Sequence, residues 1–223
     1  GHGREIGETL SSHPEVDMVS FTGSTGAGVS VSQAAAPTVK RVTLELGGKS
    51  ANVILDDADI AKAAKMAVYA CFNNSGQECS SLSRLIVPAT ARDEVVEVIA
   101  ATMARYSVGD PMDESTRCGP MVSARQQESV AGYISSGIAE GATLVAGGEG
   151  MPEGLDSGYY LKPTVFADVS SEMTIFREEI FGPVLSITTY DSEEEAIVLA
   201  NNSEYGLSGG VWSGNEERAL QFA

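Results

Sequence analysis

Residues 57–73 read Asp57-Ala-Asp-Ile-Ala-Lys-Ala-Ala-Lys-Met-Ala-Val-Tyr-Ala-Cys-Phe-Asn73, and the apolar run Leu85-Ile86-Val87 and the segment Thr90-Ala91-Arg92-Asp93 follow. The first stretch is rich in alanine, free of glycine and proline, and opens on an acid, which predicts a helix from just after Asp57 to about Asn73. Leu85–Val87 is short and wholly apolar, as a buried strand is. Thr90 with Asp93 then signals the start of a second helix through Arg105, with Val95, Val96, Ile99 and Met103 as its apolar stripe. Helices of this length alternating with short apolar strands imply an α/β fold around a largely parallel sheet.

The same alternation continues outward. Val19–Phe21, Thr143–Ala146, Val184–Thr189 and Gly210–Trp212 read as strands, and capping-box spacings at Ser123/Gln126 and Ser192/Glu195 open two more helices. Gly147–Gly158 is dense in turn residues and reads as a surface loop. The expectation is an open, mostly parallel sheet with flanking helices. Gly1–Gly7 resembles a glycine-rich turn into a helix with no strand before it. Asn215–Ala223 enters a helix without a stop signal, so both ends read as interior to a longer chain.

Composition narrows the function. Lys plus Arg total 14 against 31 Asp plus Glu, a formal net charge of −17. That excess repels nucleic acid and anionic membrane surfaces, which bind clustered basic side chains. No apolar stretch approaches the roughly 20 residues of a membrane helix, and nothing reads as a signal peptide. Cys71, Cys79 and Cys118 are too few and too irregular for a disulfide framework or a zinc site. No metal site is expected, and a reducing, cytoplasmic setting is. With only His2 and His13 present, a Cys–His or Ser–His pair is nearly excluded, and an activating base has to be another residue type.

Four motifs carry chemistry. In Asn74-Ser75-Gly76-Gln77-Glu78-Cys79, a cysteine just beyond a glycine turn is a nucleophile where its thiolate is favoured, although a lone cysteine is usually buried and inert, as Cys71 and Cys118 read. In Leu44-Glu45-Leu46-Gly47-Gly48-Lys49, a strand-end carboxylate between leucines suits a general base if it is buried. Alone, such a Glu is more often solvent-facing. Phe21-Thr22-Gly23-Ser24-Thr25-Gly26-Ala27-Gly28 is a strand-to-helix turn whose backbone N–H groups suit a phosphate, though many such turns bind nothing. Glu178-Glu179-Ile180-Phe181-Gly182-Pro183 places acids and an aromatic at a turn, suited to ribose hydroxyls and a flat ring, or else a solvated helix end.

Together and in this order the four motifs resemble those of the aldehyde dehydrogenase superfamily over essentially the whole chain, including the interval between Glu45 and Cys79. The resemblance implies NAD(P)+-dependent oxidation of a small-molecule aldehyde to a carboxylic acid. Cys79 is then the nucleophile and Glu45 the base that activates water. Gly23, Ser24, Thr25, Gly26 and Gly28 would lie along the cofactor pyrophosphate, Leu46 in the nicotinamide pocket, Glu179 on the nicotinamide ribose, and Phe181 beside the ring. Gln126 would be a further ribose contact. Glu45 favours the hydrolytic branch over the one that acylates coenzyme A, and together with Cys79 argues against a non-catalytic relative. Residues 1–47 would end a dinucleotide-binding domain, and 48–223 would form most of a catalytic domain. The family's catalytic Asn, its adenosine-ribose residues and its C-terminal oligomerisation segment have no counterpart in these 223 residues. The resemblance implies a homodimer or homotetramer for the longer enzyme and leaves NAD versus NADP open.

Overall fold

The computed structural model describes residues 1–223 as two compact units, Gly1–Gly47 and Gly48–Ala223. The smaller contains α1 (Gly3–Ser12), β1 (Met18–Thr22), α2 (Thr25–Ala35) and β2 (Arg41–Glu45). The two strands are parallel, with Thr22 opposite Glu45. Ser24 caps α2 by accepting from the Ala27 N–H at 3.4 Å. Gly28 lets the helix settle on the chain after β2, because a Cβ there would lie 2.7 Å from a Leu46 methyl.

The larger unit is built on β3 (Ala51–Ile54), α3 (Ile60–Phe72), β4 (Arg84–Pro88), α4 (Arg92–Met103), α5 (Ala124–Ala139), β5 (Thr143–Ala146), β6 (Thr164–Ala167), α6 (Thr174–Arg177), β7 (Val184–Tyr190), α7 (Glu193–Asn201), β8 (Gly209–Trp212) and α8 (Glu216–Phe222). Its six strands lie in the order β5-β6-β7-β4-β3-β8. All neighbours are parallel except β5, which pairs antiparallel with β6 at one edge. This is the open, mostly parallel sheet expected. Leu85 and Val87 of β4 pack with Ile54, Leu185 and Ile187 under α3 and α4. Ile86 packs on the opposite face with Val53, Leu55, Tyr190 and Ala196 of α7. Burial on both faces explains why this strand reads as a continuous apolar run rather than an alternating one.

The strands read from the sequence are all present. Two others, β3 and β6, escaped because β3 carries Asn52, a polar residue that is buried by accepting from Trp212 Nε1 at 3.1 Å, and β6 is only four residues long. Two helix starts differ from expectation. Asp59, not Asp57, caps α3 through the Lys62 N–H at 3.0 Å, while Asp57 accepts from Ser213 Oγ. Thr90 caps nothing: residues 89–91 form a 3-10 turn, and Asp93 pairs with Arg92 at 2.8 Å. Ser123 and Ser192 do cap α5 and α7, each at 3.3 Å.

One buried cation ties the sheet to its covering helix. Arg84, 2% exposed, donates from Nε to Lys49 O at 2.7 Å and from its two terminal nitrogens to Leu199 O, Ala200 O and Asn202 O at 2.8, 2.8 and 3.4 Å. These last are carbonyls at the C-terminus of α7, where a helix dipole favours positive charge. The guanidinium also lies 4.8 Å from the Phe176 ring centroid. Arg84→Met removes the side-chain donor from Lys49 O and Ala200 O, while Leu199 O keeps the Asn202 N–H, and is expected to cost about 1–3 kcal/mol in urea unfolding for each acceptor left buried and unsatisfied. Arg84→Lys should recover only part of this, since an ammonium cannot span the fork.

Candidate active site

The residues singled out in the larger unit gather at one edge of the sheet. Gly48–Ser50 leads into β3, the Cys79 loop into β4, Glu179–Pro183 into β7, and Leu207–Ser208 into β8. These strands are parallel, so this is their amino-terminal edge. Open α/β sheets usually bind ligands at the carboxyl ends, and here the chemistry-bearing side chains lie at the opposite end.

The Cys79 loop is rigid for local reasons. Asn74, Ser75 and Gly76 are successive left-handed residues, with φ of 49°, 59° and 70°. Such backbone costs about 1–3 kcal/mol at a non-glycine residue and persists only when its surroundings enforce it. Here the enforcement is visible. Asn74 Nδ2 donates to Gln77 O at 3.1 Å. Ser75 Oγ accepts from Gly119 N at 2.9 Å and donates to Gly119 O at 3.2 Å. The Gln77 amide accepts from Val122 N at 2.8 Å and donates to Pro120 O at 3.4 Å. Glu78 is occupied by Asn73 Nδ2 and Ser80 Oγ at 2.9 and 3.0 Å. Ser208 Oγ donates to Ser80 O at 2.9 Å. After these clamps comes Cys79, partly exposed, with its backbone N–H donating to no protein group.

The other two cysteines are buried. Burial pushes the Cys71 thiol up to about 12 and raises that of Cys118. Both therefore favour the neutral thiol, in line with their reading as inert.

Glu179 and Cys79 flank the same backbone. The Gly48 N–H donates to Glu179 Oε1 at 3.2 Å, and a Cβ at Gly48 would fall 2.4 Å from Cys79 O. A Cβ at Gly76 would fall 2.2 Å from Gly182 O. The acidic pair divides by direction. Glu178, exposed, accepts from Tyr133 OH at 2.7 Å, while Glu179, half-buried, turns to Gly48. Burial raises the Glu179 carboxyl, and the Gly48 N–H and Lys49 pull it back. Phe181 is left-handed (φ 52°) and 38% exposed. Gln126 Nε2 braces this turn by donating to Phe181 O at 2.9 Å and Ile180 O at 3.3 Å. Sequence reasoning missed the parts played by Tyr133, Ser208 and Lys49, since only three-dimensional neighbours give them one.

In the smaller unit, Glu45 ends β2 and is exposed. The flanking leucines do not bury it, because strand alternation sends them to the opposite face, so of the two states left open by the sequence the solvent-facing one is found. Its carbonyl accepts from Gly23 N at 3.0 Å, and Leu46 packs on Gly28. Ser24, Thr25 and Gly26 are exposed at the start of α2. A Cβ at Gly26 would meet open space.

A cavity of about 750 Å³ lies elsewhere, along β8 and α8, and includes neither Cys79 nor Glu179. No helix is long and apolar enough to cross a membrane.

Comparison with known proteins gives a consistent result. Residues 1–223 match the model of the aldehyde dehydrogenase family. The chain is 55% identical over 223 residues to 3-succinoylsemialdehyde-pyridine dehydrogenase of Pseudomonas sp, covering 100% of this chain and 47% of the relative. It is 48% identical over 220 residues to geranial dehydrogenase of Castellaniella defragrans, covering 99% and 45%. Among solved structures, a mutant of aldehyde dehydrogenase C from Pseudomonas syringae complexed with NAD+ and octanal superposes with a TM-score of 0.99 at 48% identity, over 100% of this chain and 46% of that one. The NAD+ complex of a Mycobacterium tuberculosis aldehyde dehydrogenase gives 0.95 at 48% identity, over 98% and 45%. The chain spans about half the length of the curated relatives it matches. With every residue inside the family model and this agreement in sequence and fold, the chain belongs to the aldehyde dehydrogenase family.

Proposed function

We propose that this chain carries the nucleophile, the water-activating base and part of the cofactor site of an enzyme that oxidises an aldehyde to a carboxylic acid with NAD(P)+. The observation that carries the reading is the state of Cys79: a partly exposed cysteine after a clamped left-handed turn, with its own N–H unengaged. Cys79 Sγ attacks the carbonyl carbon to form a thiohemiacetal, and the Cys79 N–H donates to the developing oxyanion. One such donor contributes roughly 3 kcal/mol to transition-state stabilisation. NAD(P)+, when bound, supplies the hydride acceptor that turns this adduct into a thioester. Glu45 then takes a proton from water as the water oxygen attacks the thioester carbon, the C–S bond breaks, and the acid leaves with Cys79 restored. The exposure of Glu45 gives it access to water.

The residues present fit a dinucleotide. At the start of α2, the Thr25 and Gly26 N–H groups have no protein acceptor, and Ser24 and Gly23 lead into them, an arrangement suited to a pyrophosphate. Gly28 and Leu46 pack beneath. Glu179 Oε2 has no protein donor, so it is open to ribose hydroxyls, with Phe181 and Gln126 on the same turn. Residues 1–47 and 48–223 would accordingly be the end of a dinucleotide-binding domain and a catalytic domain. The relative from Pseudomonas syringae, a cysteine-to-alanine mutant with NAD+ and octanal, supports a cysteine-dependent, NAD+-using reading. A reducing, cytoplasmic setting and a homodimer or homotetramer of the longer enzyme complete it.

Iodoacetamide at neutral pH should label Cys79 at least tenfold faster than Cys71 or Cys118, because those two are buried neutral thiols. Peptide mass spectrometry showing equal rates would remove Cys79 as nucleophile. In the full-length enzyme, Glu45→Gln should keep a stoichiometric burst of NADH while steady turnover falls by about 10²–10⁴. Loss of the burst itself would instead place Glu45 before thioester formation.

A further inference from the structure

The turn from Glu178 to Gly182 alternates in what it touches. Glu178 accepts from Tyr133 OH at 2.7 Å. Ile180 is buried in one apolar cluster with Val130 and Ile134. Gly182 lies against Val130, where a Cβ would fall 2.5 Å from a methyl. The residues between them go elsewhere: Glu179 accepts from the Gly48 N–H at 3.2 Å, and Phe181 is exposed while its carbonyl accepts from Gln126 Nε2 at 2.9 Å. Gln126, Val130 and Tyr133 all belong to α5 and stand at i, i+4 and i+7, which places them on one face of the helix. That face grips the whole turn.

The Gln126 side chain is diverted from a local task. Ser123 and Gln126 have capping-box spacing, in which the second side chain turns back to the start of its own helix. Glu195 does so at α7, accepting from Asp191 N at 2.7 Å. Gln126 instead donates to Ile180 O and Phe181 O, 54 and 55 positions away. An amide nitrogen has two hydrogens, so these two carbonyls use its donors. What they secure is Phe181 at φ 52°, a left-handed backbone that a phenylalanine keeps only where its surroundings impose it.

We propose that Gln126 and Tyr133 are positioning residues for this turn: with Val130 between them they fix its register, so that Glu179 rather than Glu178 faces Gly48 and Phe181 is held left-handed. The proposal rests on the reading that Glu179 meets the nicotinamide ribose and Phe181 the ring. Gln126 then acts on the cofactor through the Phe181 backbone, by donating to it, and not as a group that accepts from the ribose. Tyr133 acts through Glu178: a phenol bound to a carboxylate is a strong, directional contact, and it takes the outer acid of the pair out of competition for the Gly48 N–H.

The test measures NADH binding by fluorescence in the full-length enzyme, together with amide hydrogen exchange. Gln126→Ala should weaken binding about tenfold, the upper end of what one lost hydrogen bond is worth, and speed exchange at residues 178–184 while α5 stays protected. Faster exchange spread through α5 with binding unchanged would overturn the proposal, because the glutamine would then serve only its helix. Gln126→Glu keeps an acceptor oxygen but has no N–H to give, so it should lose binding as Gln126→Ala does. Binding by Gln126→Glu equal to that of the unmodified enzyme would show an acceptor at work and overturn the brace. Tyr133→Phe and Glu178→Gln should each weaken binding about threefold, and the double variant no more than either, since both break one contact. Losses that multiply would overturn the assignment of Tyr133. If Glu179→Gln leaves NADH binding unchanged, the ribose reading has failed, while exchange at 178–184 in Gln126→Ala still decides whether α5 holds the turn.

Discussion

Backbone-to-backbone contact at the amino-terminal edge of the sheet is the constraint on which the candidate site depends. Gly48 lies against Cys79 O and Gly76 against Gly182 O, so closely that any Cβ would overlap. These approaches join the segments entering β3, β4 and β7 before any side chain takes part. The thiol of Cys79 and the carboxylate of Glu179 therefore share one rigid frame, and the Gly48 N–H reaches Glu179 as part of the same contact. The second glycine of the Gly-Gly-Lys segment thus has a steric task.

Rigidity at this edge is obtained by strain held in place. Asn74, Ser75 and Phe181 occupy left-handed backbone without being glycine. Each is held from outside its own turn or by a neighbour within it: Ser75 by Gly119, Phe181 by Gln126, Asn74 by Gln77. Such clamps suit the nucleophile role proposed for Cys79, since misplacement of a reacting atom by about 1 Å costs about a hundredfold in rate. The Arg84 fork serves the same edge from below. By joining Lys49 O to the end of α7 it fixes where β3 begins relative to β4.

Much of this was legible before any coordinates. Helix caps at Ser123 and Ser192 followed from a hydroxyl placed three residues ahead of an amide it can reach, a local relation. The apolar run at β4 announced a strand buried on both faces. Legibility failed where a competing partner was distant in sequence. Asp57 looked like a cap but is taken by Ser213, and Asp59 replaces it. The leucines beside Glu45 left its burial open, and strand alternation turns it outward.

The four motifs, read in order, were sufficient by themselves to determine the family resemblance and the fold class, and to single out Cys79 over Cys71 and Cys118 as the proposed nucleophile, because these depend on residue types at short or collinear spacings. Tertiary structure alone decided which acid of the Glu178–Glu179 pair faces the Gly48 N–H, which end of the sheet carries the candidate site, and that Lys49 Nζ is buried without a partner. Those outcomes turn on atoms brought together across 131 positions in one case, and no local pattern encodes a contact that only the packed sheet creates.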